Sequence, residues 1–227
     1  EEIPITQPRI YYGLENEEAC VINKDTTEID YIDEDSNEET TYKYTGNAGL
    51  KLNFFDRLLI GIREKNLKLA FSTSVNSESQ IITNRNIINR AKSVMPYLYY
   101  DSNNAYMVVD KSGNLYWVID AYTTSNEYPF SQKTQFNDLT EVNYVRNSAK
   151  VIINAYDGKM KFYITDRNDP IVMAYNKMFP GVFADESDTI PEDIEEHLVY
   201  PKKIYDIQAK ILQTHHDIES EVLYRGD

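Results

Sequence analysis

Two stretches of this chain share one pattern, and that pattern sets the fold class. Ala105-Tyr106-Met107-Val108-Val109-Asp110 runs into Lys111-Ser112-Gly113-Asn114, and Leu115-Tyr116-Trp117-Val118-Ile119-Asp120 follows. Further on, Ala149 to Tyr156 (AKVIINAY) leads to Asp157-Gly158 and then to Lys159 to Asp166 (KMKFYITD). Each is a pair of runs rich in β-branched and aromatic residues flanking a turn that contains glycine, which predicts a β-hairpin. In both, an aromatic pair (Tyr116-Trp117, Phe162-Tyr163) begins four residues before the closing aspartate. Either a weak internal duplication or the common grammar of hairpins accounts for this likeness.

Helices are predicted on both sides of the hairpins. Residues 53–64 place Phe55, Leu58, Leu59 and Ile62 at helical spacing, with Asn53 as the N-cap. Residues 84–95 read as a helix stopped by Pro96. Asp169-Pro170 is a cap followed by the residue best suited to the first helical turn. Pro191 opens a short helix, and Pro201 a longer one with Ile204, Ile207, Ile211 and Leu212 on one face. Nearer the start, residues 5–12 and Thr41 to Thr45 read as short strands, and residues 67–72 as a strand or a second helical turn. Strands and helices in this order define an α+β chain with antiparallel sheet, rather than alternating βαβ units. Three regions follow: residues 1–45 as an acidic segment with short strands, 46–140 as helices plus the first hairpin, and 141–227 as the second hairpin plus C-terminal helices. Together they form one compact unit or two similar halves.

Charge narrows the partners. Of the formal net charge of −14 over 227 residues, residues 1–40 hold thirteen acids against Arg9 and Lys24. Such a surface repels phosphate backbones and anionic head groups, so nucleic acid is not an expected partner. Asp33-Glu34-Asp35-Ser36-Asn37 opens like a calcium loop, but Glu38 occupies the glycine position and Tyr44 the closing glutamate position, so the run reads as a solvated acidic face. No initiator methionine or signal segment opens the chain, which reads as a cut inside a longer protein. Lone Cys20 has no internal disulfide partner and suits a cytosolic protein or an exported bacterial domain.

The chemistry-bearing motifs that local sequence reveals are missing: no GxSxG, P-loop, HExxH or CxxC occurs. His215 and His216 are adjacent on a predicted helix and so diverge by about 100°; neither they nor His197 form a metal set, and no metal or cofactor is expected. Four residues stand out as ligand-binding candidates: Asp120, Tyr122, Arg146 and Asp157. Asp120 and the hydroxyls of 122–125 sit where a strand is expected to leave the sheet. There they bind a ligand, or bond neighbouring backbone in Asx- and ST-turns. Arg146 holds an anion by bidentate bonds, or pairs with Asp120 or Asp157. Asp120 and Asp157 are also the candidate carboxylates should the chain be an enzyme. The nineteen tyrosines suit half-buried strands, and on exposed sheet they also stack on sugars or grip peptides. Arg225-Gly226-Asp227 is a coincidental adhesion tripeptide.

A series of ordered blocks carries a resemblance to a known family. Pro8-Arg9-Ile10-Tyr11-Tyr12-Gly13 resembles a PRIYYGE block, with Leu14 in the glutamate position. Trp117 to Ser125 (WVIDAYTTS) with Tyr128-Pro129-Phe130-Ser131 resembles a second block. Tyr144 to Lys150 (YVRNSAK), Ala155 to Gly158, Phe162-Tyr163, Asp169-Pro170 and Phe179-Pro180 resemble the longest, and Tyr200-Pro201 with the Gln208 helix the next. Together they resemble uncharacterised protein family (UPF) 0182 of large bacterial membrane proteins. Residues 14–40 match poorly, and Gln80 stands where the family has an arginine. The resemblance implies transmembrane helices elsewhere in the parent, with this chain part of a soluble region on the extracytoplasmic side of the cell membrane. It supplies no catalytic residue or substrate. The expectation is therefore a noncatalytic binding or interaction module for an envelope component, a peptide or a partner protein. A hydrolase acting on an envelope polymer and a structural assembly surface are the alternatives.

Overall fold

A computed structural model of the chain describes residues 4–23, 27–32, 39–51, 53–63, 79–137, 140–216 and 221. The acidic run at 33–38, the 67–72 segment and Arg225-Gly226-Asp227 lie outside the described residues, as do the side chains of His215 and His216. The architecture is α+β with every strand pairing antiparallel, as the hairpin patterns predict. The chain divides into two compact units, one of residues 9–90 and 155–158, the other of residues 1–8, 91–154 and 159–227.

In the first unit, β1 (Cys20–Asn23), β2 (Glu28–Ile32), β3 (Glu39–Tyr42), β4 (Leu50–Lys51) and β5 (Ser79–Ile82) form two small sheets, β1-β5-β4 and β2-β3. Helix α1 (Phe54–Arg63) starts as expected at Asn53, whose Oδ1 accepts from the Asp56 N–H at 2.9 Å. Helix α2 (Ile87–Val94) is capped one residue upstream, the Asn86 Oδ1 accepting from the N–H groups of Ile88 and Asn89 at 3.0 and 2.9 Å. Each cap satisfies donors that a helix start leaves open. Residues 5–12 do not form a strand. Gln7 and Gly13 make isolated bridges only, because Pro4 and Pro8 supply no N–H for a ladder. Instead Tyr11 and Tyr12 are buried, and the Tyr11 ring lies 4.9 Å from Tyr44 and 5.5 Å from Tyr156. Gly158 has φ of 68°, and a Cβ there would stand 2.4 Å from the Tyr12 ring, so the hairpin turn needs glycine twice over.

The second unit is organised by β8 (Leu115–Ser125) and β11 (Tyr144–Asn154), neighbours at the centre of a five-stranded sheet. β12 (Met160–Ile164) flanks β11, while β6 (Tyr99–Tyr100) and β7 (Tyr106–Val109) pair with successive parts of β8. Both predicted hairpins are present, as β7–β8 and β11–β12. β9 (Thr134–Asn137) and β10 (Thr140–Val142) form a separate pair. Residues 118–123 and 148–153 are buried on both faces, which accounts for their near-continuous apolar and small composition. Helices α3 (Pro170–Met178), α4 (Glu192–Glu195) and α5 (Lys202–His216) begin where their prolines predict. Ile194 of α4 packs with Val108, Val118, Ile152 and Tyr163, and Ile207 of α5 with Tyr122, Phe136 and Val142. These two apolar clusters cover one face of the sheet at its two ends.

Candidate functional site

Between those clusters, on the same face, lies a polar patch. β8 runs on to Ser125, so Asp120 stands mid-strand, not at a strand end. It is 2% exposed. Its Oδ1 accepts from the Lys150 ammonium and, at 3.1 Å, from Asn147 Nδ2. Residues 147 and 150 would face opposite sides of a regular strand. They converge here because the β8–β11 register shifts between Arg146 and Ala149, the two residues between them facing Tyr122 alone. Tyr122 is fully buried, with its hydroxyl 3.5 Å from Asp101 Oδ2 and its ring 6.0 Å from Phe136. Burial, with the charges of Asp120 and Asp101 behind it, pushes the Tyr122 hydroxyl well above its ordinary range.

The same bulge turns Ser148 toward a second buried carboxylate. Asp169, fully buried, accepts from the hydroxyls of Thr123 and Ser148, from Tyr144 at 2.6 Å and from the Ile171 N–H at 2.9 Å. Burial works against its charged form, but the hydrogen bonds from Ser148, Thr123, Tyr144 and Ile171 outweigh burial and hold it below the usual carboxylate range. The sequence marks Asp169 as a helix cap, and the cap exists. What sequence reasoning missed is that the same carboxylate ties α3 to β8 and β11. Neither buried aspartate opens to solvent, so both polar clusters hold the sheet together.

The surface that does open is a groove of about 810 Å³ in this unit. One wall is the loop Tyr128 to Lys133 with β9, the floor is the start of β11, and the far wall is Ile207, Lys210 and Ile211 of α5. Asn143 sets the loop. Its Nδ2 donates to the Tyr128 carbonyl at 2.7 Å, its Oδ1 accepts from the Tyr128 N–H at 3.0 Å, and its own carbonyl accepts from the Ser131 hydroxyl at 2.9 Å. The Tyr128 ring stacks on Tyr144 with centroids 5.3 Å apart. Arg146 borders the groove, with its guanidinium 5.7 Å from the Tyr144 centroid and one nitrogen 2.8 Å from Asp166. That hydrogen bond raises the Arg146 pKa, so the group is cationic at any accessible pH.

The four candidates thus separate. Asp120 and Tyr122 share one buried face, and Arg146 borders the groove, paired with Asp166 and not with Asp120 or Asp157. Asp157 lies in the hairpin turn of the other unit. Lys133, Lys210 and the Tyr128–Tyr144 stack are not legible as one site in the sequence because Lys210 comes from a segment more than sixty residues away from the others. No group of three metal-ligating side chains occurs among the described residues, and none of their helices is long and apolar enough to cross a membrane.

By fold this is an α+β protein built on antiparallel sheets, and it carries an open groove beside a sealed polar core. The profile of the Uncharacterised protein family (UPF0182) matches residues 1–227, and the chain belongs to that family. It is 45% identical over 225 residues to a UPF0182 protein of Clostridium botulinum (strain Kyoto / Type A2), covering 99% of this chain and 24% of that protein. Relatives from Clostridium novyi (strain NT) and Clostridium tetani (strain Massachusetts / E88) are each 44% identical, over 99% and 100% of this chain and 24% of their own lengths. The chain therefore spans about a quarter of the length of the relatives it matches. No solved structure matches it.

Proposed function

We propose that this chain is a noncatalytic binding module in the extracytoplasmic part of a multi-pass bacterial membrane protein, and that its ligand site is the groove between the 128–135 segment and α5. The observation that carries this reading is the division of labour in the second unit. The buried carboxylates Asp120 and Asp169 are consumed in structural hydrogen bonds, while the cations and the tyrosine stack face an open groove. Its volume lies within the range of ligand sites. Family membership, with relatives about four times longer, supports attachment to further segments of a larger protein. An envelope component, a peptide or a partner protein is the expected ligand; the net charge of −14 argues against nucleic acid.

Two measurements test this. In intact cells making the parent protein, a membrane-impermeant amine reagent should label lysines of this segment; labelling only after lysis would overturn the extracytoplasmic placement. The immobilised chain should retain material from a solubilised envelope fraction, and Ile211→Glu, an exposed change in the groove wall, should abolish that retention. Equal retention by the variant would remove the groove from the proposal.

A further inference from the structure

Resting on the binding-module reading, we infer that the groove takes an acidic peptide in which carboxylate side chains alternate with aliphatic or aromatic ones. The first support is charge. Residues 41–227 carry only −3 of the total, and the groove lining within them holds three cations, Lys133, Arg146 and Lys210, against Glu141, with Asp166 paired to Arg146. At physiological ionic strength the screening length is about 8 Å, so a bound peptide feels most strongly the charges of the lining itself.

The second support is the placement of each cation. Asp166 holds one guanidinium nitrogen of Arg146, and the side chain remains 42% exposed. A planar fork fixed in this way is suited to a carboxylate. Lys133 is exposed and has no hydrogen-bonding or ionic partner among the described residues. On α5, Lys210 stands between Ile207 and Ile211, three and one residues away, so a cation alternates with apolar side chains along that wall.

The third support is the apolar part, which favours a peptide over a plain polyanion. Ile211 is 47% exposed and Tyr128 53%. Phe130, between the lining residues Tyr128 and Ser131 but outside the lining itself, has φ of 57° and a fully exposed ring. A bulky residue in the left-handed region is an outlier that the surrounding structure must impose. A phosphate polymer would bring charge to the cations but only hydrated groups to these side chains. A mixed acidic and apolar peptide satisfies both.

The test is fluorescence anisotropy on the 227-residue chain with a labelled twelve-residue peptide of repeating Glu-Leu-Glu-Tyr. Comparison probes are its Gln-for-Glu version, a glutamate-only peptide of equal length, and inorganic polyphosphate of matching charge. The mixed peptide should bind most tightly and weaken on adding salt. Lys133→Gln and Arg146→Gln should each weaken it by about tenfold, the loss of one charge-assisted contact. Lys133 is exposed, so its variant reports binding even if Arg146→Gln disturbs the fold. Equal binding of the Gln version overturns the acidic class, and tighter binding of polyphosphate or of the glutamate-only peptide overturns the mixed one. Failure of every probe on a chain with native circular dichroism overturns the peptide, whereas the binding-module reading falls only with the envelope-retention result.

Discussion

Lys150 stands directly opposite Asp120 in the β8–β11 ladder, and its ammonium donates to that carboxylate with both side chains almost fully buried. Such a pair is not by itself evidence of stability, since desolvation opposes the attraction. Breaking it is another matter. Asp120→Ala or Lys150→Ala leaves the other charge buried and uncompensated, and should cost about 3–5 kcal/mol in urea unfolding. The double change Asp120→Leu/Lys150→Met, which replaces the pair with side chains of similar size, should recover most of that loss. Single variants within 1 kcal/mol of the parent chain would show that the pair is not isolated from water.

Asp169 gives the stability an acid limit. Its carboxyl is held below the ordinary value despite burial, so the unfolded chain binds a proton more readily than the native one. Its contribution is complete above the ordinary carboxylate range, about pH 4, and is lost as pH falls through the lower native value. Asp169→Asn should therefore flatten the acid side of a stability–pH curve. Asp169→Ala, which also removes the cap on α3, should cost about 2–3 kcal/mol at neutral pH. The tyrosines act in the opposite sense. Burial raises the hydroxyls of Tyr11, Tyr44, Tyr100, Tyr122 and Tyr144, so the unfolded chain deprotonates first and stability should fall as pH rises past about 10. Equilibrium unfolding at a series of pH values checks both limbs.

Local signals in this chain were legible where one segment settles its own structure. Gly113 and Gly158 mark the two hairpin turns, and Asn53 and Asp169 cap the helices that follow them. Pairing between segments was not legible. Arg146 was expected to reach Asp120 or Asp157, yet it meets Asp166, and Lys150 takes Asp120. The cause is the bulge at Asn147-Ser148, which shifts the face of every residue before it relative to those after. No residue type in that stretch announces a bulge; a glycine there would have. The groove escaped for a related reason. Its walls are a loop near 130 and a helix near 210, and only tertiary packing sets Lys133 and Lys210 on the same opening.

Asn143 is the residue on which the groove's shape turns. Through one side chain it offers the Tyr128 backbone both an acceptor and a donor, as a neighbouring strand would. It also reaches the Ser131 carbonyl at 3.4 Å. Asn143→Ala removes all three contacts, and because the site is exposed, water replaces them at small global cost, about 1 kcal/mol or less. The local effect should be larger. Hydrogen exchange at the Tyr128 amide should approach that of an open loop, while the Ile152 and Ile153 amides at the centre of the sheet keep their protection. Asn143→Asp keeps the acceptor and loses the donor, so it should protect the Tyr128 amide while still releasing its carbonyl. Undiminished protection in Asn143→Ala would mean that the Tyr128–Tyr144 stack alone holds the loop.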